Sequence, residues 1–214
     1  MASDATDLRV LKTRAAIQSH FLGLLLQKNF NEITVKDIAS AAKIGRGTFY
    51  LHYEDKYNLL ETVVKEGLAE TVGKFRPHEY FTDDKVVPTR IVGFALTIFQ
   101  HFKKNDRFFR AMLFNEGIPM FRHRMQSLFL AKFRKEIQQV HLPPQKADPL
   151  MLEILPIFIS SAMIGLVSWW FENQMRISDR EMAERIFLIV TRGPLKALGL
   201  GFQDEPNKKS PHGM

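Results

Sequence analysis

Along most of the 214 residues, apolar side chains recur three and four positions apart, and few runs alternate. That spacing is the period of a helix face, whereas a half-buried strand alternates every second residue. The expectation is an all-α fold of about nine helices with no sheet. Start and stop signals divide the chain. Residues 8–29 form a first amphipathic run with Ile17, Phe21, Leu24 and Leu25, and Asn29 is expected to end it in a left-handed cap with Phe30 folding back. Thr34 followed by Asp37 reads as a capping box opening a short helix to Ala42. A second short helix covers about 46–52, and a longer one, entered through Glu54-Asp55, about 56–74. Residues 76–88 read as a loop. Helices then span 88–104, Asn105-Asp106 to about 115, and about 118–140, before His141-Leu142-Pro143-Pro144 breaks the chain. Asp148-Pro149 pairs an N-cap with proline at the first helical position. Ser178 to Glu181 is a second capping box, and Gly193-Pro194 stops the helix it opens near Arg192. Residues 202–214 read as a polar, disordered tail.

There is no cysteine, which excludes disulfide frameworks, thiol nucleophiles, zinc fingers and iron–sulfur ligation. The polar start MASDATDLR lacks the apolar core of a signal peptide, so the expected location is the cytoplasm. Thirty Lys and Arg against 23 Asp and Glu leave a charge of +7, which favours polyanionic partners without choosing among them. The excess sits mainly in 61–147, at +6, while 1–60 carries +2 and 148–214 carries −1. Residues 154–171 hold no charge. A membrane span is disfavoured there because Pro156 and three serines interrupt the stretch and glutamates flank it. A helix central to a core or subunit interface is the better reading.

The informative segment is 34–60, TVKDIASAAKIGRGTFYLHYEDKYNLL. Two short helices joined by a tight turn suit a helix-turn-helix, in which the first braces and the second enters the major groove. Ile38, Ala41, Ile44 and Phe49 supply the contacts that fix the crossing, and Ala39 and Ala42 let the helices approach closely. The candidate DNA contacts are Thr34, Lys36, Gly45, Arg46, Gly47, Thr48, Tyr50, His52 and Lys56. Arginine pairs bidentately with guanine, hydroxyls reach phosphates, and the glycines admit close backbone approach. Lys36 suits a phosphate, as do the ammonium and free N–H groups at Lys56. Gly45-Arg46-Gly47 is no nucleotide loop, since no third glycine follows at the required spacing and no strand precedes it.

This segment resembles the DNA-binding domain of the tetracycline-repressor-like (TetR) family of bacterial regulators. The likeness runs from Thr13-Arg14 through Thr34-Val35-Lys36-Asp37-Ile38-Ala39, Arg46-Gly47-Thr48-Phe49-Tyr50 and Lys56 to Leu59-Leu60. Two positions depart from the family. Lys43 stands in the interhelical turn where glycine is usual, and a left-handed Lys43 would cost about 1–2 kcal/mol. Gly45 stands where serine usually caps the recognition helix. The ending, Gly165 through Trp169-Trp170-Phe171-Glu172-Asn173, resembles a subgroup that includes regulators like the dihydroxyacetone-kinase operon activator. The resemblance implies a homodimer with an operator-binding head at 1–60 and a ligand-sensing and dimerisation domain at 61–214. It further implies repression from a palindromic duplex, relieved when a small molecule binds. The alternative is an activator or co-regulator whose C-terminal domain binds a protein.

Nine phenylalanines fall within residues 94–133. Most are expected in the core, and Ile91, Phe94, Ile98 and Phe102, with Phe109 and Met112 from the next helix, are the candidates for an apolar ligand pocket. Lys103, Arg107 or Arg110 could meet an acidic end of the ligand. The nine Lys/Arg within 101–135 otherwise read as a solvated basic face. Ile159, Met163, Trp170, Met182, Ile186 and Ile189 are the candidates for a four-helix subunit interface. The seven histidines show no metal-ligand spacing and no GxSxG elbow exists, so neither a metal, a cofactor nor an enzyme activity is expected.

Overall fold

The computed structural model describes residues 2–74, 76, 81–82, 85–138, 148–193 and 197–198. The expected break at 141–144 and the tail at 202–214 lie outside them. Nine α-helices are present among the described residues: α1 (Ala2–Leu25), α2 (Val35–Ala41), α3 (Arg46–Tyr50), α4 (Lys56–Gly73), α5 (Pro88–Lys104), α6 (Asp106–Phe114), α7 (Phe121–Ile137), α8 (Pro149–Glu172) and α9 (Asp179–Arg192). The chain is all-helical as expected, apart from a two-residue antiparallel ladder, β1 (Phe81–Thr82) on β2 (Lys85–Val86), inside the segment read as loop. Phe81, Thr82 and Val86 are residues that suit a pleated pairing, but a ladder this short carries no period to read.

The capping signals fold as their chemistry dictates. The Thr34 hydroxyl accepts the Asp37 N–H while the Asp37 carboxylate accepts from the Thr34 N–H and hydroxyl. Ser178 and Glu181 repeat the arrangement at α9. Those bonds hold both carboxyls below the usual carboxylate range. Asp55 and Asp148 accept N–H groups two or three residues on, and Gly193 ends α9 at a positive φ of 77°. Two expected caps fail. Asn29 is extended (φ −60°, ψ 139°) and caps a 3-10 turn over Phe30–Glu32 instead of ending α1 in the left-handed region. Asn105 turns its amide back to His101 and leaves α6 without a side-chain cap. α1 also starts earlier than expected, because Ala2–Asp7 carry no apolar stripe.

α1, α2 and α3 form the head around Ile17, Phe21, Ile38 and Phe49, all fully buried. This core is continuous with that of the bundle, through Phe30, Leu59 and Val63 to Phe99, Phe102, Phe109 and Trp170. Within the bundle α5 packs on α9 and α7 on α8. α4 crosses the expected division at residue 60 without a break and so belongs to both parts.

Candidate nucleic-acid interface

The turn between α2 and α3 is built on Lys43, which sits in the left-handed region at φ 55°. Its N–H reaches the Ser40 carbonyl (3.1 Å) and the Ile44 N–H the Ala39 carbonyl (3.0 Å). These two bonds are the Schellman pair that closes a helix end, and they offset the strain of a non-glycine residue there. The turn is therefore the glycine-type turn with a lysine in it. Half-buried Ile44 packs back on the head core, and buried Phe49 pins α3 from beneath.

Fixing Phe49 inward decides what α3 shows. Gly45, Arg46, Gly47 and Tyr50 are exposed, and Thr48 and His52 half-exposed, so six expected contacts lie on α3 or within two residues of its ends. Lys36 is exposed on α2, while the exposed Thr34 has its hydroxyl committed to the cap. Sequence reasoning passed over Leu51, 82% exposed at the end of α3. A helical wheel anchored on Phe49 would have found it. The glycines are not demanded by the fold. A Cβ at Gly45 would meet nothing closer than Thr48 Oγ1 at 3.9 Å, and one at Gly47 nothing within 4 Å.

Lys56 departs from expectation. Its ammonium donates to the carbonyls of Phe30 (3.1 Å), Asn31 (3.0 Å) and Ile33 (2.9 Å), over the Phe30 ring. An ammonium has three donors, and all three are used. Lys56 thus ties the start of α4 to the 3-10 turn, and a phosphate would meet only backbone N–H groups there.

The bundle grips the head through side chains from α6 and the loop after it. Asn115 donates to the carbonyls of Leu25 and Lys28 (both 2.8 Å), and its Oδ1 accepts the Phe30 N–H (3.0 Å). Arg107 reaches the Ser19 carbonyl, and within the bundle Arg124 of α7 pairs with Glu61 of α4. Arg110 binds Asp106 and the Phe171 carbonyl, Arg122 pairs with Glu172, and Lys132 with Glu136. Five of the nine bases in 101–135 thus also brace helices, while seven of the nine, Lys103, Lys104, Arg107, Arg122, Arg124, Arg134 and Lys135, are exposed as a solvated face requires.

The expected pocket residues divide. Ile98, Phe102, Phe109 and Met112 are fully buried, with the Phe102 and Phe109 rings 4.6 Å apart, while Ile91 and Phe94 are half-buried. Two concavities among the described residues, of 520 Å³ between α1 and Ile44 and of 410 Å³ at Leu113–Arg122, are lined by none of the six. Against the Phe102 and Phe109 rings His101 is buried, with Nε2 3.0 Å from the Thr71 hydroxyl and Nδ1 3.2 Å from the Asn105 amide. The Thr71 hydroxyl also donates to the Gly67 carbonyl (2.8 Å), and His101 Nδ1 lies 3.5 Å from the Glu70 carboxylate. Burial holds the His101 pKa below the ordinary histidine value, against the opposing pull of Glu70.

Three of the six expected interface residues need correcting. Trp170, Met182 and Ile186 are buried in the chain's own core, and the Trp170 indole donates to the Ile177 carbonyl. Ile159 and Met163 are half-buried, and Ile189 is exposed. Hydrophobicity alone cannot say which side of an all-apolar helix faces inward. α8 is long and apolar enough to cross a membrane, but it packs along α7 in the bundle. Its outward stripe is Leu150, Ile154, Ile157, Ser161, Gly165 and Trp169.

Two family descriptions match this architecture. Residues 22–63, spanning the helix-turn-helix, match the bacterial regulatory proteins of the tetR family, and residues 91–192 match a transcriptional regulator C-terminal region assigned to the same family. The chain belongs to the TetR family. It is accordingly a DNA-binding transcriptional regulator, in a family that is not enzymatic. The HTH-type transcriptional regulator YxbF of Bacillus subtilis is 42% identical over 67 residues, 31% of this chain and 18% of that protein's length. Among solved structures, the dihydroxyacetone kinase operon activator DhaS is 18% identical with a TM-score of 0.58, over 84% of this chain and 95% of that one. FadR of Bacillus subtilis, solved with stearoyl-CoA, is 13% identical with a TM-score of 0.58, over 84% and 98%. At these identities the structural likeness shows the fold. The expected resemblances, to the TetR family and to DhaS-like regulators, are both present.

Proposed function

We propose that this TetR-family regulator is a cytoplasmic homodimeric repressor that holds a palindromic operator with α3 of each subunit. In this reading residues 1–60 are the operator-binding head and 61–214 the sensing and dimerisation domain. The observation that carries it is Gly47. In a helix glycine is worse than alanine by about 1 kcal/mol, and nothing in the fold would touch a Cβ there. A helix that keeps a bare, exposed backbone between Arg46 and Thr48 is suited to pressing against another molecule. Arg46, Thr48 and Tyr50 beside it supply donors for bases and phosphates, with Lys36 as a further phosphate contact.

Dimerisation follows from the outward stripe of α8, continued on α9 by exposed Ile189 and Val190. Leu150, Ile154 and Ile157 are spaced along one face, and Ser161 and Gly165 permit close helix approach. A small apolar or amphipathic effector entering the aromatic bundle beside Ile91 and Phe94 would move α4, which is shared with the head, and respace the two recognition helices. A protein-binding activator is the second reading, favoured by the tight filling of Ile98, Phe102, Phe109 and Met112. Selecting duplexes from genomic fragments with the full chain, then screening fatty acyl-CoAs and other amphipathic metabolites for release, tests both. Selection of a palindrome released by a compound supports the repressor; a palindrome that no compound releases favours the protein-binding reading.

A further inference from the structure

The recognition helix ends on an exposed apolar side chain, Leu51. With Phe49 and Tyr53 both buried beneath α3, the opposite face at about 100° per residue is the line through Gly47 and Leu51. The helical turn continues to that point, since Leu51 has helical dihedrals (φ −72°, ψ −18°) and its N–H bonds the Gly47 carbonyl. Leu51 is 82% exposed, the highest value among the exposed large hydrophobic side chains. The same short helix also shows exposed Tyr50 and half-exposed Thr48, with exposed Arg46 at its start, a polar and cationic setting suited to nucleic acid rather than to an apolar protein groove. Gly47, one turn earlier, lets the backbone close in, so Leu51 is carried deep.

A leucine has no donor or acceptor, so it gains nothing from a phosphate or from the polar edges of guanine, cytosine or adenine, and pressing on them desolvates them without return. The major groove has one apolar feature, the C5-methyl of thymine. From this placement, which rests on the operator-binding reading above, we infer that Leu51 reads a thymine methyl group in each half-site and is a specificity determinant of the operator.

The test uses the full-length protein and its selected palindrome. Each thymine is replaced in turn by deoxyuridine, which removes the methyl and leaves pairing intact. Burial of one methyl group corresponds to about fourfold in affinity, so symmetric replacement in both half-sites should weaken wild-type binding by about 15-fold at one position. Leu51→Ala should bind the thymine and deoxyuridine palindromes equally, with a nearly unchanged melting temperature because the side chain is 82% exposed. The inference is overturned if wild type is indifferent to deoxyuridine everywhere, or if Leu51→Ala keeps the discrimination. Either outcome leaves the operator-binding reading standing, whereas failure to select any duplex removes both.

Discussion

Gly47 and Lys56 occupy one small domain and do opposite things. Gly47 leaves a gap that the fold does not use, and Gly47→Ala should therefore raise the stability of the head by about 1 kcal/mol. The same change should weaken operator binding, and thermal melting beside a binding titration checks the two signs together. Lys56 spends its whole donor set on three carbonyls. Lys56→Met should destabilise the protein by about 2–3 kcal/mol while leaving the salt dependence of DNA binding unchanged, since no phosphate contact is lost. A slope that flattens by about one unit would mean that the ammonium turns outward to the phosphate after all. The residue types of the interface were legible because the 34–60 spacing constrains them tightly. The direction of the Lys56 side chain was not, because it depends on a 3-10 turn whose carbonyls lie more than twenty residues away.

Helix boundaries were legible wherever a side chain closes the end locally. Thr34, Asp55, Asp148 and Ser178 all cap within three residues, so spacing alone predicts them. Asn29 and Asn105 fail because each amide takes another local partner: Asn29 accepts the Asn31 N–H at the start of the 3-10 turn, and Asn105 donates back to the His101 carbonyl of α5. The joint between α4 and α5 also lies beyond sequence. His101 there has Nε2 on the Thr71 hydroxyl and Nδ1 facing Asn105 and Glu70, with Lys74 and Lys104 nearby, and its burial lowers the pKa. The native pKa lies below that of the unfolded chain, so the native state refuses a proton that the unfolded state takes up. The stability from this group is whole above about pH 6.5 and falls as pH drops from there through the lowered native value. Melting temperatures between pH 8 and 5 should fall more steeply for wild type than for His101→Gln. Parallel curves would show that the imidazole titrates alike in both states.

Assembly is the level at which the chain alone says least. An unbroken apolar helix such as α8 fits a core, an interface or a membrane equally by composition, and only packing showed that Trp170 points inward while Ile157 points outward. Ile157→Asp should consequently leave the monomer folded and abolish the dimer in sedimentation at micromolar concentration. Ile186→Asp, which buries an unpaired charge in the subunit core, should unfold the chain instead, at a cost of several kcal/mol. A folded, dimeric Ile157→Asp variant would move the interface elsewhere. Two heads held by such a dimer must meet major grooves about 34–36 Å apart, or a multiple of that. The most direct measurement is selection of duplexes by the wild-type protein followed by footprinting at moderate salt. The account expects a palindrome with protected half-sites one or more helical turns apart, bound far more tightly than random duplex. Equal affinity for selected and random DNA, or a single unrepeated footprint, would contradict it.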